Sequence, residues 1–220
     1  MMILLWSGHY HASAAAGTVY VYQRHDEQWN LTDTLTGDVP IDGRFGSSVA
    51  ISEEFAIIGA KQSGTAYIYQ KVDNQWKRHA ELLLSKPYEP GDQFGWSVDI
   101  SGDYAIVGDY TEGSAYIYKK NGDMWSLQKT LSSDIGNDYF GKSVSVRWPY
   151  AAVGASDASA TYIFKESDND WIPVKKLTSE SVSFGYSVEM SGNYLLVSGA
   201  ATYVFGPVDS EYELCSFLKN

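Results

Sequence analysis

Phe94-Gly95-Trp96-Ser97-Val98, followed by Ala105-Ile106-Val107-Gly108, Tyr116-Ile117-Tyr118 and Trp125, sets a pattern that the chain repeats on either side. The Phe-Gly start recurs at Phe45-Gly46, Phe140-Gly141 and Phe184-Gly185, so successive starts lie 49, 46 and 44 residues apart. The apolar run recurs as Ala56-Ile57-Ile58-Gly59, Ala151-Ala152-Val153-Gly154 and Leu195-Leu196-Val197-Ser198-Gly199. The aromatic pair recurs as Tyr67-Ile68-Tyr69, Tyr162-Ile163-Phe164 and Tyr203-Val204-Phe205. The closing indole returns at Trp76 and Trp171, with Tyr212 in its place in the last unit. A period in this range, with several short strands per unit, means a propeller or a stacked array. Upstream, Ile3 to Gly8, Gly17 to Tyr22 and Trp29 repeat the later parts of the unit without its Phe-Gly start. The pattern predicts one domain over 1–220, with an incomplete unit at 2–36 and complete units at 45–85, 94–132, 140–178 and 184–218.

Each unit reads as four strands. The first alternates, with Phe45, Val49 and Ile51 facing one way and Gly46, Ser48 and Ala50 the other. The second is a continuous apolar run of the kind buried on both faces. The third carries the aromatic pair and the fourth starts at the indole. Ser101-Gly102-Asp103 and Ser191-Gly192-Asn193 supply turn residues that accept the positive φ of a tight hairpin. Small residues in the first strand and large aromatics in the third and fourth make each unit a wedge. Wedges stacked face to face curve around an axis. The expected fold is therefore all-β, a β-propeller of about five four-stranded antiparallel blades with the first incomplete. Two readings of the seam stay open: a five-bladed ring closed by a three-stranded blade, or part of a larger propeller. The second would leave blade faces and edges open to self-association.

Composition narrows the partners. A formal charge of −11 argues against nucleic acid, whose phosphates need a basic face, and against an anionic membrane surface. No apolar run approaches bilayer-spanning length, so membrane insertion is not expected. Met1 to Trp6 is apolar, but the run is short, lacks a basic leader and fits a second strand better than a signal peptide. The single Cys215 cannot form an intrachain disulfide and reads as a small buried side chain.

The Phe-Gly-x-Ser-Val start, the strand ending Val-Gly-Asp or Ile-Gly-Ala, and Gly113-Ser114-Ala115-Tyr116-Ile117-Tyr118 resemble the FG-GAP repeat. That repeat builds the integrin alpha-subunit propeller and many bacterial and protist surface proteins. The resemblance is closest at 45–69 and 94–118 and implies a binding or adhesion module, on a cell surface or outside the cell. It also implies that the ligand face is the one formed by the unit-to-unit loops and the loops between second and third strands. Two features depart from the integrin pattern. The turn between first and second strands is too short to supply the oxygen ligands of a calcium loop, so no metal site is expected. There are about five units where the integrin propeller has seven.

The candidate ligand residues lie on that face, here called the top. They are Asp42, Asp92, Asp109, Glu112, Asp138 and Asp157 in the loops, with Trp96 and Tyr186 from the variable position after Phe-Gly. Asp42, Asp92 and Asp138 recur just before Phe-Gly and could ring the channel mouth, or instead accept backbone hydrogen bonds and shape their loops. Trp29, Trp76, Trp125 and Trp171 stand at equivalent positions and read as repeat packing, whereas Trp96 and Tyr186 differ from their counterparts. Asp99 and Glu189 are the carboxylates of the inner strands and mark a glycosidase-like alternative. His9-Tyr10-His11 has no evident third partner for a metal, and no nucleophile triad or nucleotide fingerprint is present. The expected function is recognition of a protein ligand without covalent chemistry or cofactor, with glycan binding at blade junctions as the alternative. Equivalent residues at all junctions would favour the glycan, and one odd junction the protein.

Overall fold

The computed structural model describes residues 3–8, 17–40, 43–84, 89, 91–136, 138–206 and 214–218, the first and last of these as backbone. Strands β1 (Ile3–Gly8), β2 (Thr18–His25) and β3 (Gln28–Thr36) make a three-stranded sheet. Four-stranded antiparallel sheets follow in chain order. They are β4 (Phe45–Ile51) to β7 (Gln75–Leu83) through β5 (Phe55–Ala60) and β6 (Thr65–Val72), and β8 (Ser97–Ser101) to β11 (Met124–Ser132) through β9 (Tyr104–Asp109) and β10 (Ser114–Asn121). Next come β12 (Phe140–Arg147) to β15 (Asp170–Thr178) through β13 (Tyr150–Ala155) and β14 (Ala160–Ser167). The last sheet runs from β16 (Ser187–Ser191) through β17 (Tyr194–Ser198) and β18 (Thr202–Phe205) to β19 (Leu214–Leu218). Inner strands lie side by side, β4 against β8, β8 against β12 and β12 against β16, while β1, the second-strand equivalent of the first blade, lies against β4. This is a β-propeller arrangement, five consecutive blades with the first lacking its inner strand. Among the described residues no comparable contact joins the last sheet to the first.

Each repeated motif has a mechanical job. The Phe of Phe-Gly is buried and meets the aromatic pair of its own blade edge-on, as Phe94 does at 5.3 Å from Tyr116 and 6.4 Å from Tyr118. That contact is why the two motifs travel together. The following Gly has φ between +86° and +90° at Gly46, Gly95, Gly141 and Gly185, a conformation that side chains resist. Here the prediction of a regular first strand from Phe-Gly onward is corrected. β8 and β16 begin only at Ser97 and Ser187, and in β4 and β12 the pairing jumps from Phe45 to Ser48 and from Phe140 to Ser143. The left-handed Gly turns the chain out of the ladder, and two skipped residues leave the alternation of faces intact.

Neighbouring blades meet backbone to backbone. A Cβ placed on Gly59, Gly108 or Gly154 would stand 2.1, 2.0 and 2.0 Å from the carbonyl oxygens of Gly95, Gly141 and Gly185 in the next blade. The motif serine then ties the junction. Ser48 Oγ donates to Gly95 O at 2.9 Å, and Ser97 Oγ donates to Gly141 O at 2.9 Å. Ser143 Oγ instead accepts the Val188 N–H at 2.6 Å. Four separate apolar clusters fill the four junctions. The predicted double-sided burial of the second strand holds in β5 and β9, whose residues are all buried.

Candidate functional site

The residues after Phe-Gly come together on the top face as one aromatic ridge. Lys61, from the β5–β6 loop, sets its Nζ 3.4 Å from the centre of the Trp96 ring. Trp96 meets Tyr110 edge-on at 4.7 Å, and Tyr110 meets Tyr139 edge-on at 5.3 Å. Lys142 Nζ then bridges Tyr139 at 4.9 Å and Tyr186 at 4.8 Å. Residues from the last four blades thus form a continuous array of rings and cations. Tyr139 and Tyr186 are 40% and 55% exposed, so the ridge ends open to solvent. Burial, reinforced by the Arg44 charge, holds the Lys61 ammonium below its usual pKa, and burial beside Tyr139 and Asp109 pushes the Tyr110 hydroxyl up. Each cation over a ring contributes about 0.5–2 kcal/mol and fixes rotamers before any ligand arrives.

The predicted acidic residues divide into two groups. Asp92, Asp109 and Asp138 are buried at 6%, 0% and 2% exposure. Asp109 Oδ1 accepts from the backbone N–H of Gln93, Thr111 and Glu112 and from Thr111 Oγ at 2.7 Å. Asp92 accepts the Glu89 N–H at 2.9 Å and Asp138 the Phe140 N–H at 3.1 Å. These carboxylates fold the loops that carry the ridge, and for Asp92 and Asp138 this is the second of the two roles open to them from sequence. Glu112 and Asp157 are exposed on the rim of the same face. Asp42, His9 and His11 lie outside the described residues. Among the described residues no group of three or more His, Cys, Asp or Glu is placed to hold a metal ion.

Tyr110, Tyr139, Lys61 and Lys142 complete the ridge and were not among the predicted ligand residues. Lys142 shares the variable position of Trp96 and Tyr186, a signal that was present in the sequence. Tyr110 and Tyr139 sit in loops without a repeated neighbour, and only the fold brings them into line.

The inner-strand carboxylates lie close enough for the charge of Asp99 to act on Glu189. Asp99 Oδ2 accepts Ser145 Oγ at 2.9 Å and the Val146 N–H at 2.7 Å, and Oδ1 accepts the Ile100 N–H at 2.8 Å. Ser145 Oγ in turn accepts the Met190 N–H at 3.0 Å, so one network ties three blades. Burial pushes the Asp99 carboxyl up against the pull of these donors. Burial and then the Asp99 charge push Glu189 up. An Asp occupied by three donors is well placed to hold blades together and poorly placed to move a proton or attack a sugar.

Residues 76–118 match the family model of the FG-GAP repeat, within the stretch whose motifs carry the resemblance. No curated protein matches the chain as a sequence relative. Solved structures share its fold. A proposed 6-phosphogluconolactonase from Bacteroides fragilis superposes with a TM-score of 0.71 at 12% identity, covering 99% of this chain and 68% of that one. A Lactobacillus plantarum protein gives 0.66 at 14% identity, covering 92% and 64%. Hsv2 of Kluyvelomyces marxianus gives 0.60 at 16% identity, covering 92% and 61%. The chain spans roughly two thirds of the length of these structures. At such identities the likeness carries the propeller fold and no chemistry.

Proposed function

We propose that this propeller is a non-catalytic recognition module that engages a protein partner through the aromatic ridge of its top face. The ridge itself carries the reading: Trp96, Tyr110, Tyr139 and Tyr186 are held in one array by Lys61 and Lys142. Aromatic anchors of this kind dominate protein interfaces, and rings already fixed in place lose little freedom on binding. The exposed Glu112 and Asp157 beside them suit a partner with basic residues at its rim. The engaged state of Asp99 supports the absence of catalysis. Function outside the cell or on its surface, in adhesion, follows from the FG-GAP resemblance. Among the described residues no helix is long and apolar enough to cross a membrane.

The test places a photo-crosslinking residue at Tyr186 and, separately, at Trp148 on the opposite face. The Tyr186 probe is expected to capture a discrete partner that the Trp148 probe does not. Trp96→Ala and Tyr139→Ala are each expected to weaken that partner by about 2 kcal/mol, near thirtyfold. Equal capture from both faces, or affinity unchanged in both variants, would sink the reading.

A further inference from the structure

The face opposite the ridge carries a second groove that the repeat pattern does not explain. Three cavities of about 460, 520 and 80 Å³ follow one another along the turns between inner and second strands, and Arg147 lines all three. Three of those turns are Ser-Glu-Glu, Ser-Gly-Asp and Ser-Gly-Asn, whereas the one joining β12 to β13 is Arg147-Trp148-Pro149. Packing gives no reason for an indole there, since Trp148 is 57% exposed. The Arg147 side chain, also exposed, makes no hydrogen bond or ion pair among the described residues. The carboxylates of Glu53, Glu54 and Asp103 line the same groove and are likewise without a side-chain partner among the described residues. Lys119 closes one side, with its Nζ donating to Asn169 Oδ1 at 2.9 Å.

We propose that this groove binds a neutral oligosaccharide, with Trp148 taking the apolar C–H face of one ring. Vicinal hydroxyls both donate and accept, so a sugar can be held by a free guanidinium that only donates and free carboxylates that only accept. An indole face meets the C–H side of the ring. Cavities of this size fit a ligand of one or two rings. Three carboxylates against two cations, on a chain of net charge −11, turn polyanionic glycans away. The site lies across the molecule from the ridge and does not depend on it.

The chain has seven tryptophans, so a nitrogen-15 spectrum shows seven indole N–H signals, and Trp148→Phe assigns the one of interest while the other six report the fold. The labelled protein is titrated with maltose, cellobiose, lactose and chitobiose, and separately with a heparin disaccharide. At least one neutral disaccharide is expected to move the Trp148 signal with a Kd of about 1 mM, the range of weak single-site binding. Arg147→Ala and Asp103→Asn are each expected to weaken it about tenfold, while Tyr186→Ala leaves it unchanged. The proposal is overturned if no neutral disaccharide moves the Trp148 signal, if the shift survives both groove variants, or if only the heparin disaccharide produces it.

Discussion

The middle blades and the end blades have the same sequence plan but different environments. Ile57, Ile106 and Ala152, at one position of the second strand, are fully buried, because the next blade covers them. Leu196 holds the same position in the last sheet and is 38% exposed. The other end mirrors this. Trp171 packs against the preceding blade at 1% exposure, and Trp29, with no blade before it among the described residues, is 39% exposed. Burial in this fold belongs to the junction, since a single sheet covers neither of its own faces. The glycine of the close approach follows the same rule, giving way to Ser198 where, among the described residues, no following sheet presses on it.

The largest way to break that comparison is Gly108→Ala. Its Cβ would meet the Gly141 carbonyl, which is backbone on both sides and cannot move aside, so at least about 3 kcal/mol of stability should be lost in denaturant melts. Ser198→Ala, the matching change in the last sheet, should cost far less. Next comes Ile106→Ala against Leu196→Ala: about 3 kcal/mol for the first and under about 1 for the second, read from the same melts. Equal costs would mean that the last sheet is covered in solution.

A finer comparison sets one rim junction against its neighbour. Trp171 Nε1–H donates to Gln128 Oε1 at 3.0 Å across the third and fourth blades. At the equivalent place between the second and third blades stand Trp125 and His79, whose Nε1 and Nε2 are both buried without a partner. His79→Gln installs the arrangement of the neighbouring junction and should add about 0.5–1.5 kcal/mol. The smallest effect is electrostatic. Asp99 and Glu189 both have raised pKa values in the fold, so the folded protein holds their protons more tightly than the unfolded chain does. Their contribution favours folding in acid and weakens as pH rises from the ordinary carboxylate value through the raised one. Glu189→Gln should therefore raise Tm at neutral pH, with the gain shrinking toward about pH 4, where the unfolded carboxylates also take up protons.

The blade plan was open to reading because each motif has a local reason to recur: a ring that meets a pair of rings, a glycine at positive φ, a serine that reaches the next backbone. The interruption at Phe-Gly was misread, since a glycine that leaves the ladder and one that stays in it look alike in sequence. The site was harder. Trp96 and Tyr186 stood out by differing from their counterparts, but Tyr110 and Tyr139 join them only through blade spacing, which sequence does not display. The recurring Asp residues advertised a ligand surface, yet a carboxylate that shapes a loop and one that meets a ligand have the same letters around them. What separates them is the count of backbone N–H groups within reach, four donors in all for Asp109 with its Thr111 hydroxyl included.

The contact of Gly59, Gly108 and Gly154 with the carbonyl of the following blade has a consequence for how such a chain can change over time. A contact made of backbone on both sides carries no private code, so at this point of the joint one unit can follow another without a compensating substitution. A duplicated blade would find its seat already cut, while the loops above and below would be left free to diverge. An interface written in side chains would have to be rewritten at every insertion.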